Sequence, residues 1–333
     1  MSQNLPCFST LAMGRPSEHC ATLSFYSPLY NGADDAFACP INHMLCSGKK
    51  SVSMKFFTQS TKLVLLSLFG FPGLLMSVSV VHAAPESELI PFWNKSDENN
   101  KAAIDHRDWQ YTLDTYLDNQ HASGVNLFNY GKVSKADRSR LQNYLKKMTA
   151  LDPRSYSKQE QFAYWVNLYN ALTVELILEN YPVDTITDLG ESFFGFGPWN
   201  DDITQIQGKK LTLNNIEHNI LRPIWKDPRI HYAVNCASYS CPNVAAEAFT
   251  SENTETLLEA AATDYVNHER GVTFDDGELL VSSIYHWYKA DFGGNDQSLI
   301  AHLAKYAKPE LRTRLRQYKG DLDHHYDWGL NQP

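Results

Sequence analysis

The chain has 333 residues, of which 43% are hydrophobic, and a formal net charge of −9 from 29 Lys and Arg against 38 Asp and Glu. The length allows one sizeable hydrophobic core, and no repeat or low-complexity tract divides it. An acidic chain is repelled by phosphate backbones, so nucleic acid is excluded as a partner.

A secretory signal is the first recognisable pattern. Lys55 and Lys62 precede an apolar run with a small-residue ending at Ala83, which is typical of a signal peptide and its cleavage site. We predict a signal peptide at 54–83 and a soluble, exported, periplasmic protein that contacts membrane only if this segment stays uncleaved. Because a signal works poorly from inside a chain, residues 1–53 are interpreted as a non-native upstream extension.

The cysteines divide at this boundary. Four lie upstream of the predicted cleavage point, and only Cys236 and Cys241 follow it. An exported chain with a single cysteine pair favours a disulfide.

The mature chain is predicted to begin with a flexible lead-in, 84–107, followed by one domain at 108–333. Amphipathic spacing predicts helices over 108–119 and 134–149. These two helices are interpreted as scaffold.

The clearest predicted helix starts at Ser157 and ends before Pro182. Ser157 and Glu160 fit a capping box, and the helix is apolar almost all round, which predicts a core position. Asn167 and Asn170 share one face of it. They either bond neighbouring backbone or orient a site residue, since buried asparagines need partners.

A long Gly- and Phe-rich loop, 181–208, comes next. A short helix capped by Thr212 and stopped by Pro223 should then carry Glu217 and His218.

The remaining elements complete an α+β fold. Alternating side chains predict a strand at 230–235 with Cys236 at its exit, and Pro242 suits the first turn of a helix begun at Ser240 or Cys241. Further helices are predicted at 250–267, 283–291 and 298–306, with a hairpin turning at Asp276-Gly277. We predict a mainly helical single α+β domain with a small antiparallel sheet, for which papain- and transglutaminase-like folds are candidates.

Four sequence segments resemble the bacterial and plant family called domain of unknown function 547. They are YWVNLYNAL at 164–172, LTLNNIEHNILRP at 211–223, DPRIHYAVNCASYSCP at 227–242 and the weaker YDWGLN at 326–331. The resemblance implies a self-contained domain with these polar residues gathered in one place, and it implies no established activity. Some plant relatives are joined to a glutaredoxin-like domain, which hints at thiol chemistry. Gly329 stands where serine is usual, and His286 is outside the pattern.

Three roles for the cysteines remain open. The pair can form a disulfide across its four-residue loop, or one thiol can be catalytic, which needs a nearby imidazole or helix N-terminus to ionise it. A tetrahedral zinc site with His218 and His231 is the third role, and it is weak because the two histidines have no usual ligand spacing. No metal or cofactor is therefore predicted.

The committed hypothesis is a cysteine-dependent hydrolase or an acyl or amide transferase acting on a small molecule or peptide. Cys236 is the first choice as nucleophile and Cys241 the second, with His218 as base and His231 orienting or stabilising. The supporting polar shell is Asn167, Asn170, Asn235 and Glu217, and amides near Asn235 are candidates for an oxyanion hole. The alternative is a non-catalytic periplasmic binding or assembly domain stapled by a Cys236–Cys241 disulfide, with 192–199 as its contact surface.

Overall fold

The computed structural model describes residues 85–190 and 197–333, and it confirms a mainly helical α+β fold. The predicted extension and signal peptide lie outside these residues, as do positions 191–196 of the Gly- and Phe-rich loop. No helix in the two described ranges has the length and apolar character needed to cross a bilayer. The helices are α1 Arg107–Tyr116, α2 Lys135–Ala150, α3 Lys158–Asn180, α4 Arg222–Trp225, α5 Ile230–Ala233, α6 Thr254–Val266, α7 Ser283–Trp287, α8 Asp296–Tyr306 and α9 Pro309–Gln317. The strands are β1 Leu117–Asp118, β2 Leu127–Phe128, β3 Thr204–Ile206, β4 Lys209–Leu211, β5 Val272–Asp275, β6 Glu278–Ser282 and β7 Leu322–His325.

Helix α3 is the centre of the larger core. Every side chain from 160 to 174 is buried, as an all-round apolar helix predicts. The Ser157 side chain accepts the Glu160 N–H and so caps the helix. Only this half of the predicted capping box forms, because the Glu160 carboxylate accepts the N–H of Ile104 at 2.7 Å.

Helix α2 lies against α3 and confirms the predicted amphipathic helix. Ser134 caps it by accepting the Asp137 N–H. The predicted stripe is buried, and it consists of Leu141, Tyr144, Leu145 and Met148. Burial of this stripe packs one face of α2 against the core and leaves the opposite face towards solvent.

The segment predicted as a flexible lead-in packs on the core along much of its length. Trp93 is 1% exposed and meets Trp165 of α3 edge-on, with ring centroids 5.2 Å apart. Further upstream, the carbonyl oxygens of Pro85 and Glu88 accept hydrogen bonds from side chains of the helix at 215–225.

A second core cluster surrounds a three-stranded sheet. β5 and β6 form the predicted hairpin, and Asp276 and Gly277 both take positive φ at its turn. β7 adds to β6 in parallel. His324 and His325 both lie in β7.

The predicted strand at 230–235 was wrong. Residues 230–233 form one turn of helix, α5, and the chain becomes extended only at Val234. All four α5 side chains are buried, so alternation of residue types did not reflect alternating exposure. The helix expected around Pro242 is absent as well, since the next described helix is α6.

Pro223 does not stop the helix that carries His218. A π-helical segment, Asn215–Leu221, runs into α4, which continues past Pro223 to Trp225. Proline lacks an N–H group, and it is tolerated where a helix changes its hydrogen-bond register. Thr212 caps the segment as predicted, with its Oγ1 accepting the Asn215 N–H at 3.0 Å.

Candidate functional site

Cys236 and Cys241 lie side by side as free thiols. Their Sγ atoms are 2.6 Å apart, and no disulfide joins them. Cys236 is half-buried, whereas Cys241 is 4% exposed. The staple that the alternative hypothesis requires is therefore not formed in this structure.

The side chain of Asn235 closes the loop between the two cysteines. Its Nδ2 donates to the Pro242 carbonyl at 2.7 Å, and its Oδ1 accepts the Ala237 N–H at 2.8 Å. Ala237 has φ +60°, a left-handed conformation that is costly for alanine. These bonds hold the chain reversal that brings Cys241 back to Cys236.

The C-terminal segment 326–331 packs along the cysteine loop. The Asn331 N–H donates to the Ala237 carbonyl at 2.9 Å, and the Ser240 N–H donates to the Asp327 carbonyl at 3.1 Å. Between them, Ser238 and Leu330 form an isolated antiparallel bridge. The sequence YDWGLN is thus part of the site although it lies about ninety residues from the cysteines.

Polar donors converge on the Cys236 sulfur. The hydroxyls of Ser238 and Tyr326 each lie 3.1 Å from it. Burial opposes ionisation, but hydrogen bonds from Cys241, Ser238 and Tyr326 outweigh it and lower the pKa of Cys236 to about 7. Burial and the neighbouring Cys236 sulfur raise the pKa of Cys241 well above its usual range.

The predicted histidines belong to a neighbouring buried ion cluster. Asp291 is its anchor, because its Oδ2 accepts from His231 Nε2 at 2.7 Å and from Arg222 Nε at 2.6 Å. His231 Nδ1 lies 3.3 Å from Glu217 Oε1, close enough for an ion pair although the ring N–H is not aimed at the carboxylate. His218 Nδ1 accepts from Arg222 at 3.1 Å.

Charge in this cluster is balanced. Burial opposes ionisation of Glu217, but the positive charges of His218, His231 and Arg222 lower its pKa to about 2. Burial lowers the pKa of His218 itself to about 4, so His218 is neutral near pH 7 and the stabilising cations there are His231 and Arg222. Burial also works against protonation of His231, yet its hydrogen bond to Asp291 and the nearby Glu217 carboxylate raise its pKa.

Two tyrosines connect the thiols and the ion cluster electrostatically. Burial raises the pKa values of Tyr169 and Tyr288 well above the usual range, and the negative charges of Glu217 and Cys236 add to the effect at both. The Tyr288 ring also stacks on His231 with centroids 4.1 Å apart. The thiols and the ion cluster are therefore both close enough to these two tyrosines to affect their pKa values.

A family model described as "Protein of unknown function, DUF547" matches residues 153–266. The chain carries a domain of this family. The DUF547 match covers α3, the π-helical segment and the cysteine loop, and it ends before Tyr326 and the C-terminal segment. No curated protein and no solved structure matches the chain. The DUF547 description assigns no activity, so function is argued from the geometry of the site.

The buried asparagines in the DUF547 region bond backbone. Asn167 is paired twice with Phe249, through its N–H at 2.9 Å and its carbonyl at 2.7 Å. Asn170 donates to the Ala233 carbonyl at 2.9 Å and accepts the Asn235 N–H at 2.8 Å. Asn170 and Asn235 thus position the cysteine loop, while Asn167 fixes a segment beyond it.

The amides predicted to form an oxyanion hole are already used. Asn235 N–H bonds Asn170, Ala237 N–H bonds Asn235, and Cys236 N–H donates to Cys241 Sγ at 2.8 Å. Within the described part of the DUF547 domain, no hydrogen bond joins either cysteine to His218 or His231. The assignment of His218 as base therefore stays a prediction without a contact to support it.

The predicted residues can also be compared with the ligand set that a metal ion requires. Across the two described ranges, no group of three or more His, Cys, Asp or Glu side chains is arranged to hold a metal ion. The zinc role considered for the cysteines and histidines therefore has no supporting geometry.

Several site residues were missed by sequence reasoning. Ser238 and Tyr326 were within reach, because one lies between the cysteines and the other opens YDWGLN. Asp291 and Tyr288 gave no signal, since they lie in an unremarkable segment after α7.

Proposed function

We propose that this protein catalyses thiol–disulfide exchange, with Cys236 as the attacking thiol and Cys241 as the resolving thiol. The observation that carries the proposal is the contact between two free sulfurs, 2.6 Å apart, at the edge of a half-buried loop. Two sulfurs so placed can exchange a disulfide with a substrate by a small movement of the loop.

The difference between the two thiols supports their roles. Cys236 is half-buried and ionises near neutral pH, which are the two properties of an attacking thiol. Cys241 is buried and stays protonated, so it is protected until a mixed disulfide forms beside it.

The reaction balances in two steps. Cys236 thiolate attacks a substrate disulfide R–S–S–R′, the S–S bond breaks, and R′S⁻ leaves and takes a proton from solvent. Cys241 then loses its proton and attacks Cys236 Sγ, which forms the Cys236–Cys241 disulfide and releases RSH. The dithiol gives two electrons to the substrate, and an external dithiol returns them; the reverse direction oxidises a substrate dithiol.

Localisation and substrate class belong to the same proposal. The signal pattern at 54–83 supports export to an oxidising compartment, where disulfides persist. The substrate is a small-molecule or peptide disulfide rather than a nucleic acid, because the chain is acidic.

A cysteine-dependent hydrolase or acyl or amide transferase is the second candidate. One observation favours it: His231 stacks on Tyr288, and the pKa of Tyr288 responds both to the Cys236 thiol and to Glu217 of the ion cluster. The engaged amides of the cysteine loop give it no ready oxyanion hole. It predicts that Cys236 is essential and Cys241 is not.

The test is trapping with 2-hydroxyethyl disulfide, followed by intact mass. Every sample carries serine in place of the four upstream cysteines, Cys7, Cys20, Cys39 and Cys46. Any change in mass then comes from Cys236 and Cys241. The native pair should end as an internal disulfide, two hydrogen atoms lighter than the dithiol. Cys241→Ser should stop at a mixed disulfide, and Cys236→Ser should react at least tenfold more slowly.

The same samples separate the candidates. Inertness of the reduced pair towards the probe would overturn thiol exchange. A pair that is oxidised on isolation and resists reduction would support the stapled, non-catalytic domain. Turnover of an ester or amide that survives Cys241→Ser would favour the hydrolase.

A further inference from the structure

We propose that Tyr326 is a catalytic residue of the exchange reaction, which relays the proton of Cys241 to the departing substrate sulfur. This inference rests on the proposed thiol–disulfide exchange. Its basis is the position of one hydroxyl against the sulfur that reacts: Tyr326 OH lies 3.1 Å from Cys236 Sγ.

The need for a relay follows from the buried thiol. Cys241 must lose a proton before it can attack, but its surroundings keep it protonated. In the reduced protein the Cys236 thiolate is a base 2.6 Å away. Once Cys236 is held in a mixed disulfide, its sulfur carries no charge and cannot accept that proton.

Few groups remain to take the proton. Among the described residues, the side chains hydrogen-bonded to the sulfur pair are Ser238 and Tyr326, and no carboxylate or imidazole joins them. Cys241 Sγ lies 2.6 Å from Cys236 Sγ, so the Tyr326 hydroxyl that contacts Cys236 is also close to the Cys241 thiol, where it opposes the rise in pKa that burial causes. The Tyr326 hydroxyl therefore borders both the sulfur that loses a proton and the sulfur from which the substrate departs.

Tyr326 is built to pass a proton on rather than keep one. Burial and the two neighbouring sulfurs hold its pKa well above the usual range, so the phenol does not ionise in advance. Ser238 Oγ donates to Tyr326 OH at 2.9 Å and orients it. As Cys241 gives its proton to the phenol oxygen, the phenol gives its own proton to the leaving RS⁻, and the hydroxyl is restored.

The position of Tyr326 comes from the C-terminal segment. Tyr326 directly follows β7, and the next residue is held to the loop because the Asp327 N–H donates to Ser240 Oγ at 2.8 Å. Tyr326 is thus held by β7 on its N-terminal side and by the Asp327–Ser240 hydrogen bond on its C-terminal side. A fixed donor near the reacting sulfur is what a relay requires.

The experiment follows the two steps separately with 2-hydroxyethyl disulfide and mass quenching. In Tyr326→Phe, the mixed disulfide at Cys236 should accumulate and resolve at least tenfold more slowly than in the native protein at pH 7. Resolution should recover as the pH rises, because hydroxide then removes the Cys241 proton. Ser238→Ala keeps the phenol but loses its orienting donor, so it should slow resolution by a smaller factor.

Tyr318→Phe is the matched control. Its hydroxyl accepts the Leu279 N–H and donates to the Asp321 carbonyl, and no hydrogen bond joins it to a sulfur in the part of the chain that the structure describes. It should resolve the mixed disulfide at the native rate. Equal slowing in Tyr318→Phe and Tyr326→Phe, or native resolution in Tyr326→Phe with an unchanged pH profile, would overturn the relay. Failure of the native protein to form a mixed disulfide would instead overturn the proposed function.

Discussion

Asn170, in the middle of α3, holds Asn235 by its backbone: Asn170 Oδ1 accepts the Asn235 N–H at 2.8 Å. Asn235 in turn spans the cysteine loop with its own side chain, to the Pro242 carbonyl and the Ala237 N–H. The two amides connect α3, whose side chains from 160 to 174 are all buried, to the sulfur pair. Loop geometry is therefore set from the core rather than from the surface.

Removing the Asn170 amide should disturb the thiols as well as stability. Asn170→Ala leaves the Asn235 N–H and the Ala233 carbonyl unpaired in a buried place, and we expect a loss of about 2–5 kcal/mol in the free energy of unfolding. Asn167→Ala is the control, because Asn167 lies on the same helix as Asn170 and its amide makes an equivalent pair of hydrogen bonds, to the backbone of Phe249. Chemical denaturation should show similar losses, while thiol reactivity changes only in Asn170→Ala. Equal reactivity changes would contradict the positioning role.

Alkylation of Cys236 should follow a titration near neutral pH. Its pKa of about 7 lies below that of an ordinary thiol, so the rate with iodoacetamide should reach half its plateau near pH 7. Ser238→Ala removes one hydroxyl that stabilises the thiolate, so the midpoint should move upwards. Peptide mapping by mass gives the rate at Cys236 alone.

Ser240→Ala is the companion variant for the alkylation series. It loses a hydroxyl from the same loop, one that accepts the Asp327 N–H and touches neither sulfur. We expect its midpoint to move less than that of Ser238→Ala, because Ser240 affects Cys236 only through the position of Tyr326. A shift as large as that of Ser238→Ala would attribute the effect to loop distortion.

Stability should fall on mild acidification because three histidines, two buried and one half-buried, resist protonation in the folded state. Burial lowers the pKa values of His106, His218 and His302 to about 4, from 6.5. The unfolded chain therefore binds protons below pH 6.5 that the folded chain refuses, and the free energy of unfolding decreases as pH falls from 6.5 towards 4. Each histidine contributes a slope of up to about 1.4 kcal/mol per pH unit.

His106 is the variant that isolates this effect away from the site. Its Nδ1 bonds Tyr144 OH at 2.7 Å, far along the chain from the cysteines. His106→Gln should reduce the slope between pH 6.5 and 5 by about one proton, measured by urea unfolding at several pH values. An unchanged slope would show that His106 takes up its proton in the folded state.

The Asp291 carboxylate should contribute far more to the free energy of unfolding than the exposed carboxylate of Asp296. Asp291→Asn leaves Arg222, whose side chain is 6% exposed, without its counter-charge, and we expect a loss of about 3–5 kcal/mol in the free energy of unfolding. Asp296→Asn breaks a pair with Lys289 whose side chains are 49% and 38% exposed, so it should cost at most about 1 kcal/mol. Comparable losses in the two variants, measured by denaturant unfolding, would show that the ion cluster does not stabilise the fold.

Local signals in the sequence correctly predicted several elements. The cap at Ser157, the all-round apolar pattern of α3 and the Asp276-Gly277 turn each depend on neighbouring residues only, and all three formed as predicted. The fold class follows from such elements. Family membership was also readable, because the matching sequences lie within continuous stretches of chain.

Residues buried on every side misled the same reasoning. The turn of helix at 230–233 was taken for a strand, since alternation carries no information when all side chains are covered. The parallel pairing of β7 with β6 gave no local signal, because the two strands lie some forty residues apart along the chain.

The sequence alone singled out Cys236 and Cys241 as the candidate thiols, because the other four cysteines lie upstream of the predicted cleavage point. Tertiary structure decided what surrounds them. It brought Tyr326 and Ser238 to the sulfur, and it engaged His218 with Arg222 and His231 with Asp291 instead. The reason is that contacts between distant segments depend on how the whole core closes, whereas caps, turns and cysteine spacing are local.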